Sequence, residues 1–369
     1  MASSDHETER PRFCVMGAGN GGLAMAGHLG LMGFDVSLYN RSEGRIEPVR
    51  MRGGVELHGE VTGFGRVALA TTDPAEALSG CDVVMVVVLA TGHRDVAKRC
   101  APHLADGQVV VLNPGRTFGA IEFHQALRSS GCAANVTVAE AQTFIYASRV
   151  TGPGEARIFR IKNAISVASI HAQRVAAVLQ RLRPAFPQFV PGTDVLHTSL
   201  DNIGTVFHPA LALLNTGWIE DGSDFEFYRQ GASHSVARVL EEVDRERVAV
   251  AEALGVSVMT AHKWLYFAYG VHGADLREAL TANPGYGGIP APKAMRHRYL
   301  TEDVPMSLVP IASLARKLAR PTPTMDGLIH LASTMMGEDY WETGRTVERL
   351  GIADMSLPEL RALAVGGES

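Results

Sequence analysis

The sequence predicts an α/β domain built on a doubly wound parallel sheet, followed by an all-α domain. Three observations lead there. The glycine-rich turn Gly17-Ala18-Gly19-Asn20-Gly21-Gly22 follows a short apolar run, Phe13 to Met16. Continuous apolar runs at Val83 to Val88 and Val109 to Leu112 have the composition of strands buried on both faces of a parallel sheet. From about Leu196 onward β-branched runs disappear, and segments such as SVARVLEEVDRERVAVAEAL, from Ser235 to Leu254, set apolar residues at helical spacing with charges between them.

Taken in order, Phe13 to Met16 is the first strand, ended by glycines, and Asn20 to Leu31 has the apolar spacing of a helix, which gives strand, turn, helix. Val36 to Tyr39 is the second strand. Val83 to Val88 and Val109 to Leu112 follow, separated by material suited to helices, and such alternation implies the doubly wound arrangement. Val136 to Ala139, then Ile158 to Ile161 with Ile165 to Ala168, are further strand candidates ahead of a helix over Arg174 to Leu182. Gly192-Thr193-Asp194 is the natural hinge, so the α/β domain is expected over residues 11–192 and the helical domain over 193–369.

A chain of 369 residues with 46% apolar composition is long enough for two cores. Its 34 basic and 39 acidic residues are spread without a basic stripe, so nucleic acid is not an expected partner. Cys14, Cys81, Cys100 and Cys132 lie far apart with no CxxC spacing, which suggests neither a disulfide framework nor a metal site and fits reduced thiols in a cytoplasm. The opening MASSDHETER is polar and lacks an apolar targeting core, and the run Val83 to Ala90 is far too short to span a bilayer. A soluble cytoplasmic protein with no membrane partner is expected.

The turn matches GxGxxG. Gly17 suits a tight turn, Gly19 a close approach of pyrophosphate and Gly22 close helix packing, while the helix N-terminus opening at Asn20 and Gly21 faces the diphosphate. A dinucleotide is therefore expected here. A carboxylate commonly ends the second strand of such a unit, where it binds the ribose hydroxyls and repels a 2′-phosphate. Asn40 stands there instead, followed by Arg41, Ser42 and, further on, Arg45, which can pair with that phosphate. NADPH is predicted over NADH. Asn113 and Pro114 open a loop at a carboxyl strand end, Asn113-Pro114-Gly115-Arg116-Thr117, expected to border the nicotinamide, although Asn-Pro-Gly is also an ordinary turn signal.

His208 precedes Pro209 within TSLDNIGTVFHPALALLNTG, an apolar stretch after the hinge, and an imidazole suits general acid–base work near neutrality. On pattern alone, a lone histidine on an apolar helix is also an ordinary core residue. What singles it out is a resemblance to the opine dehydrogenases of the octopine/nopaline type, carried by GAGNGG at 17–22, LNPGRTFGAIEF at 112–123, AEAQTFIYASR at 139–149, VLHTSLDNIGTVFHP at 195–209, EEVDRERVAVAEAL at 241–254, RYLTEDVPMSLVPI at 298–311 and GRTVERLGI at 344–352. The resemblance implies a Rossmann-type first domain and a second domain like the C-terminal one of 6-phosphogluconate dehydrogenase. It implies that His208 pairs with Asp303, which spacing alone would read as a helix-start residue, and that the two are catalytic.

It further implies a reductive condensation in which an amine and a 2-oxo acid lose water and the imine carbon receives hydride. Such substrates carry carboxylates, so Arg298 is the expected clamp, with Arg149 and Arg116 as weaker candidates; Arg298 could instead pair with Glu302. Gly204 stands where the family usually has an asparagine near the imine, and Asn202 cannot be assumed to replace it, since two residues along a helix change face. The partners expected are a small-molecule amine and a 2-oxo acid, with a homodimer among the assemblies open to the chain. Two other functions stay open: a 2-oxo acid reductase of the ketopantoate-reductase kind, although Leu196 to Gly217 lacks the lysine that family uses, and a non-catalytic NADP-binding protein.

Overall fold

A computed structural model describes residues 10–366; the polar arm over 1–9 lies outside the described residues. The chain forms two compact units, the first running through Gly115 and over Gly119–Val195 with a C-terminal piece from Leu363, the second comprising Arg116–Phe118 and Leu196–Ala362.

In chain order the first unit holds β1 (Phe13–Met16), α1 (Asn20–Leu31), β2 (Val36–Tyr39), α2 (Glu43–Arg52), β3 (Gly54–Gly59), β4 (Gly63–Arg66), β5 (Leu69–Thr71), α3 (Pro74–Leu78), β6 (Val83–Val86) and α4 (His93–Cys100). It continues with β7 (Val109–Leu112), α5 (Gly119–Ser129), β8 (Thr137–Ala141), β9 (Tyr146–Gly152), β10 (Glu155–Ile161), β11 (Ile165–Ser169), α6 (Val175–Leu182) and β12 (Phe189–Pro191). An eight-stranded sheet has the order β12-β11-β8-β7-β6-β1-β2-β5, parallel throughout except where β11 meets β8. Phe13 of β1 lies opposite Val36 of β2 on one side and Val83 of β6 on the other. β1 therefore ends where the strand order reverses, the place at which doubly wound sheets leave a crevice for a ligand.

Ile158 to Ile161 and Ile165 to Ala168, adjacent in sequence, belong to different sheets. β10 joins a separate four-stranded sheet of order β4-β3-β10-β9, while β11 returns to the large one. The burial of the two strands explains the split: in β10 Ala156 and Ile158 point inward while Arg157 and Phe159 are exposed, the alternation of a one-sided sheet, whereas β11 is buried along most of its length. Helix α1 packs between the two sheets and is buried on several sides, which explains its run of small and apolar residues from Gly21 to Gly27. A Cβ on Gly65 of β4 would meet the Gly27 carbonyl oxygen of α1 at 1.8 Å, so helix and strand touch backbone to backbone. β6 stops at Val86 instead of Val88; β1 itself ends at Met16, and Val87 N–H makes the last bond between the two strands, to Met16 O.

The second unit is helical: α7 (Val195–Leu200), α8 (Gly204–Leu214), α9 (Thr216–Glu220), α10 (His234–Ala253), α11 (Ala261–Tyr269), α12 (Leu276–Ala282), α13 (Arg298–Thr301), α14 (Val309–Lys317), α15 (Pro323–Met336), α16 (Tyr340–Thr343) and α17 (Leu357–Val365), the last running on into the first unit. Helix α10 starts where the Ser233 hydroxyl accepts from Val236 N–H, and it packs on α8, α12 and α15 through Val236, Leu240, Val243 and Val250. Its buried Arg247 is satisfied by Asp244 at 2.6 Å and by the carbonyls of Leu200 and Met259. No helix among the described residues is long and apolar enough to cross a membrane, and the four cysteines are free and buried.

Candidate functional site

In the first unit the glycine turn has the shape a diphosphate requires. Gly17 has φ +121°, open to glycine alone without strain, and a Cβ there would also strike Val87 O at 2.4 Å. A Cβ on Gly22 would lie 1.6 Å from Gly17 O, so the turn closes only over a bare Cα. Gly21 is pressed against Phe144, 2.7 Å from where its Cβ would be. Gly19 differs: nothing stands within 4 Å of its Cβ position, and it caps α1 with no side chain on the helix N-terminus. A phosphate fits this open N–H-bearing end, and the residues present suit a dinucleotide.

The flanking side chains divide into those that build the turn and those that face outward. Asn40 Oδ1 accepts from Ala18 N–H at 3.2 Å while its Nδ2 donates to Ser42 O, so this amide braces the turn. Asn20 is spent similarly, its Oδ1 accepting from Val150 N–H of β9 at 2.9 Å. Arg41 and Arg45 are exposed, with no ion-pair partner among the described residues, and the Ser42 hydroxyl makes no capping bond to α2. Asn113 is buried; its Nδ2 donates to Val111 O, its Oδ1 has no hydrogen-bond partner among the described residues, and the Asn113–Pro114 bond is cis.

In the second unit, α8 carries His208 in its second turn, directly before Pro209, and Asp303 stands just before the π-helical turn Val304–Leu308. His208 Nδ1 lies 2.9 Å from Asp303 Oδ2, and His208 Nε2 lies 3.0 Å from Tyr228 Oη. Tyr299 stacks on the imidazole, ring centres 4.4 Å apart. The other oxygen of Asp303 faces Arg116 Nη1 at 3.1 Å, and Arg116 Nη2 lies 3.4 Å from Glu302 Oε2. Asp303 is wholly buried. Burial alone would raise its carboxyl, but the Arg116 and His208 charges together outweigh it and hold the group below the ordinary carboxylate range.

Arg116 is itself buried, with its backbone at φ +60°, and its segment is clasped on all sides. Thr117 N–H donates to Met306 O, Arg345 Nη1 to Thr117 O, and Phe118 N–H to Ser199 Oγ. Burial disfavours the guanidinium charge, yet Asp303 and Glu302 reverse the effect and strengthen it. Gly204, at the start of α8, faces this group: its Cβ would sit 3.0 Å from Arg116 Nη1 and 3.3 Å from His208 Cε1. Arg298 opens α13 with its Nε 3.3 Å from Glu302 Oε2, the pairing that sequence reading held open, and its side chain is 47% exposed.

The second unit thus brings together His208, Asp303, Arg298, Gly204 and Arg116. Arg149 belongs to the first unit, exposed on β9 in register with Arg157 of β10. Asn202 donates to Ser307 Oγ at 3.0 Å, a structural bond within the unit. Sequence reading missed Tyr228 and Tyr299. Tyr299 follows Arg298 directly, and Tyr228 ends the aromatic run Phe225-Glu226-Phe227-Tyr228, a density of rings that was the available signal.

Comparison with known proteins follows the same division. Residues 12–134 match the family model of the NAD binding domain of 6-phosphogluconate dehydrogenase, and residues 191–336 match that of the NAD/NADP octopine/nopaline dehydrogenase alpha-helical domain. The opine dehydrogenase of Arthrobacter sp. (strain 1C) is 36% identical over 355 residues, covering 96% of this chain and 99% of the relative. The protein named ocs of Agrobacterium vitis is 30% identical over 352 residues, covering 92% and 95%. The structure of octopine dehydrogenase with NADH and L-arginine superposes with a TM-score of 0.81 at 25% identity, over 97% of this chain and 99% of that one.

Proposed function

The chain belongs to the opine dehydrogenase family, and from that premise we propose that it condenses an amino acid, or a related amine, with a 2-oxo acid and reduces the imine using NADPH. Membership makes it an NAD(P)-dependent oxidoreductase acting on CH–NH donors. The single observation that carries the finer reading is the buried 2.9 Å contact of His208 Nδ1 with Asp303 beside two arginines.

Asp303, held ionised, fixes the hydrogen of His208 on Nδ1 and stabilises the ring once it is protonated, which leaves Nε2 to exchange protons. We assign to His208 the removal of a proton from the substrate ammonium, freeing the amine to attack the oxo carbon, and the return of that proton to the hydroxyl that departs as water. Arg298, half-exposed beside the histidine–aspartate pair, takes a substrate carboxylate in a bidentate pair. Arg116, already neutralised by two buried acids, serves Asp303 first and any substrate second. When bound at the glycine turn, NADPH supplies the hydride that reduces the imine. The residues to hold it are Gly17, Gly19, Gly21 and Gly22 with Asn40, and Arg41, Ser42 and Arg45 for the 2′-phosphate; Asn113 and Pro114 are assigned to the nicotinamide side. The four free, buried thiols support a reducing, cytoplasmic setting.

The test is NADPH consumption against 2-oxo acids, each with and without amino acids, repeated with NADH. Oxidation that needs both substrates is the expected result. Oxidation with the oxo acid alone would replace this reading with a ketopantoate-type reductase, and cofactor binding without turnover would favour a sensing protein. The cofactor choice has its own check. Arg41→Ala is expected to weaken NADPH binding about tenfold or more, the scale of one charge-assisted pair, while leaving NADH binding unchanged. Fluorescence titration measures both, and equal losses for the two cofactors would refute the assignment.

A further inference from the structure

His208 is hydrogen-bonded at both ring nitrogens, and only one of those partners has so far been given work. With Asp303 accepting at Nδ1, the nitrogen that exchanges protons is Nε2, and the group placed on it is Tyr228 Oη at 3.0 Å. We propose that Tyr228 is a positioning residue of this reaction: its hydroxyl donates to bare Nε2 and accepts from protonated Nε2, holding the ring in one orientation through both states. The proposal rests on the reading of His208 as the acid–base group.

Three features fit Tyr228 for the task. Its ring is buried and clamped, stacked on Tyr286 with centres 4.2 Å apart and planes 15° apart, and edge-on to Phe207 and Phe227. The oxygen therefore stays in place when the histidine changes charge. Burial also pushes the phenol well above its usual value, so Tyr228 remains an O–H and does not take the proton as a rival base. Finally, a hydroxyl is both donor and acceptor, and rotation about one C–O bond reverses its role without moving a heavy atom. Proton balance is kept: the Tyr228 hydrogen bond yields Nε2 to the substrate while a proton passes and re-forms afterwards, what Nε2 takes from the ammonium it returns to the leaving hydroxyl, and Tyr228 begins and ends each turnover as neutral phenol.

Tyr228→Phe deletes the oxygen and keeps the ring stack. We expect kcat to fall about tenfold, the scale of one hydrogen bond to a charged partner, with KM for both substrates changed less than about twofold. The ¹⁵N resonance of His208 Nε2, read in the substrate-free protein, should move in the same variant. Tyr286→Phe, which touches Tyr228 but not His208, should keep kcat. A wild-type kcat in Tyr228→Phe, a loss confined to KM, or an equal kcat loss in Tyr286→Phe would each overturn the proposal. The nitrogen resonance separates the two claims: unchanged, it sinks the role of Tyr228 whatever the substrates are, whereas a wild-type protein that turns over no amine and oxo acid removes the functional reading beneath it.

Discussion

His208→Ala should lower kcat by about 10²- to 10⁴-fold, the span of general acid–base catalysis, while NADPH binds as before. The separation is expected because the residues assigned to the nucleotide lie on the first unit and His208 belongs to the second. Removing an imidazole from α8 leaves Asp303 with Arg116 as its remaining counter-charge, so the buried carboxylate is not orphaned and the fold should tolerate the change. Turnover by stopped-flow, cofactor affinity by fluorescence and melting temperature together give the answer. Loss of cofactor binding in step with kcat would mean that His208 supports the fold instead of the chemistry.

The contrast between the two units shows what a linear reading reaches. The turn at residues 17–22 was legible because its glycines are contiguous in the chain and follow an apolar strand, and the closest approach, Gly22 to Gly17 O at 1.6 Å, is made within the motif itself. The large sheet was legible because strands buried on both faces are continuous apolar words. The small sheet was not: Gly54–Gly59 and Gly63–Arg66 are glycine-rich and part exposed, and their strand character comes from pairing with one another and with β10. In the second unit, His208 and Asp303 are 95 residues apart, and no period or motif links them. Resemblance suggested the pair, and folding placed it. Tyr228 and Tyr299 had only a local density of aromatic residues to mark them, and the buried side of Arg116 had no local signature, since all three acquire their neighbours from distant parts of the chain.

Arg116 and Gly204 should behave as one unit in a double-mutant cycle. The space at Gly204 is bounded by a guanidinium 3.0 Å from the Cβ position, and that guanidinium is pinned between Asp303 and Glu302 and cannot give way. Gly204→Asn in the native background should therefore push on His208, 3.3 Å from the same position, and cost about 10²-fold in kcat/KM through misplacement of the ring. Arg116→Gly, which suits φ +60°, should destabilise the protein by about 3 kcal/mol, because it removes the guanidinium that Asp303 and Glu302 share and leaves Asp303 with His208 and Glu302 with Arg298. It should also change the response to acid. The folded carboxyl of Asp303 lies below its unfolded value, so its contribution to stability is present above the unfolded value and is lost as pH falls through the folded one. Without Arg116 one of the charges that lower the carboxyl is gone, the carboxyl rises, and acid unfolding should begin at higher pH. Combined, Arg116→Gly opens the volume that the asparagine needs, so the double variant should retain more kcat/KM than the product of the single losses predicts. Losses that simply multiply would mean that the two positions are independent and that the guanidinium does not occupy the space in front of Gly204.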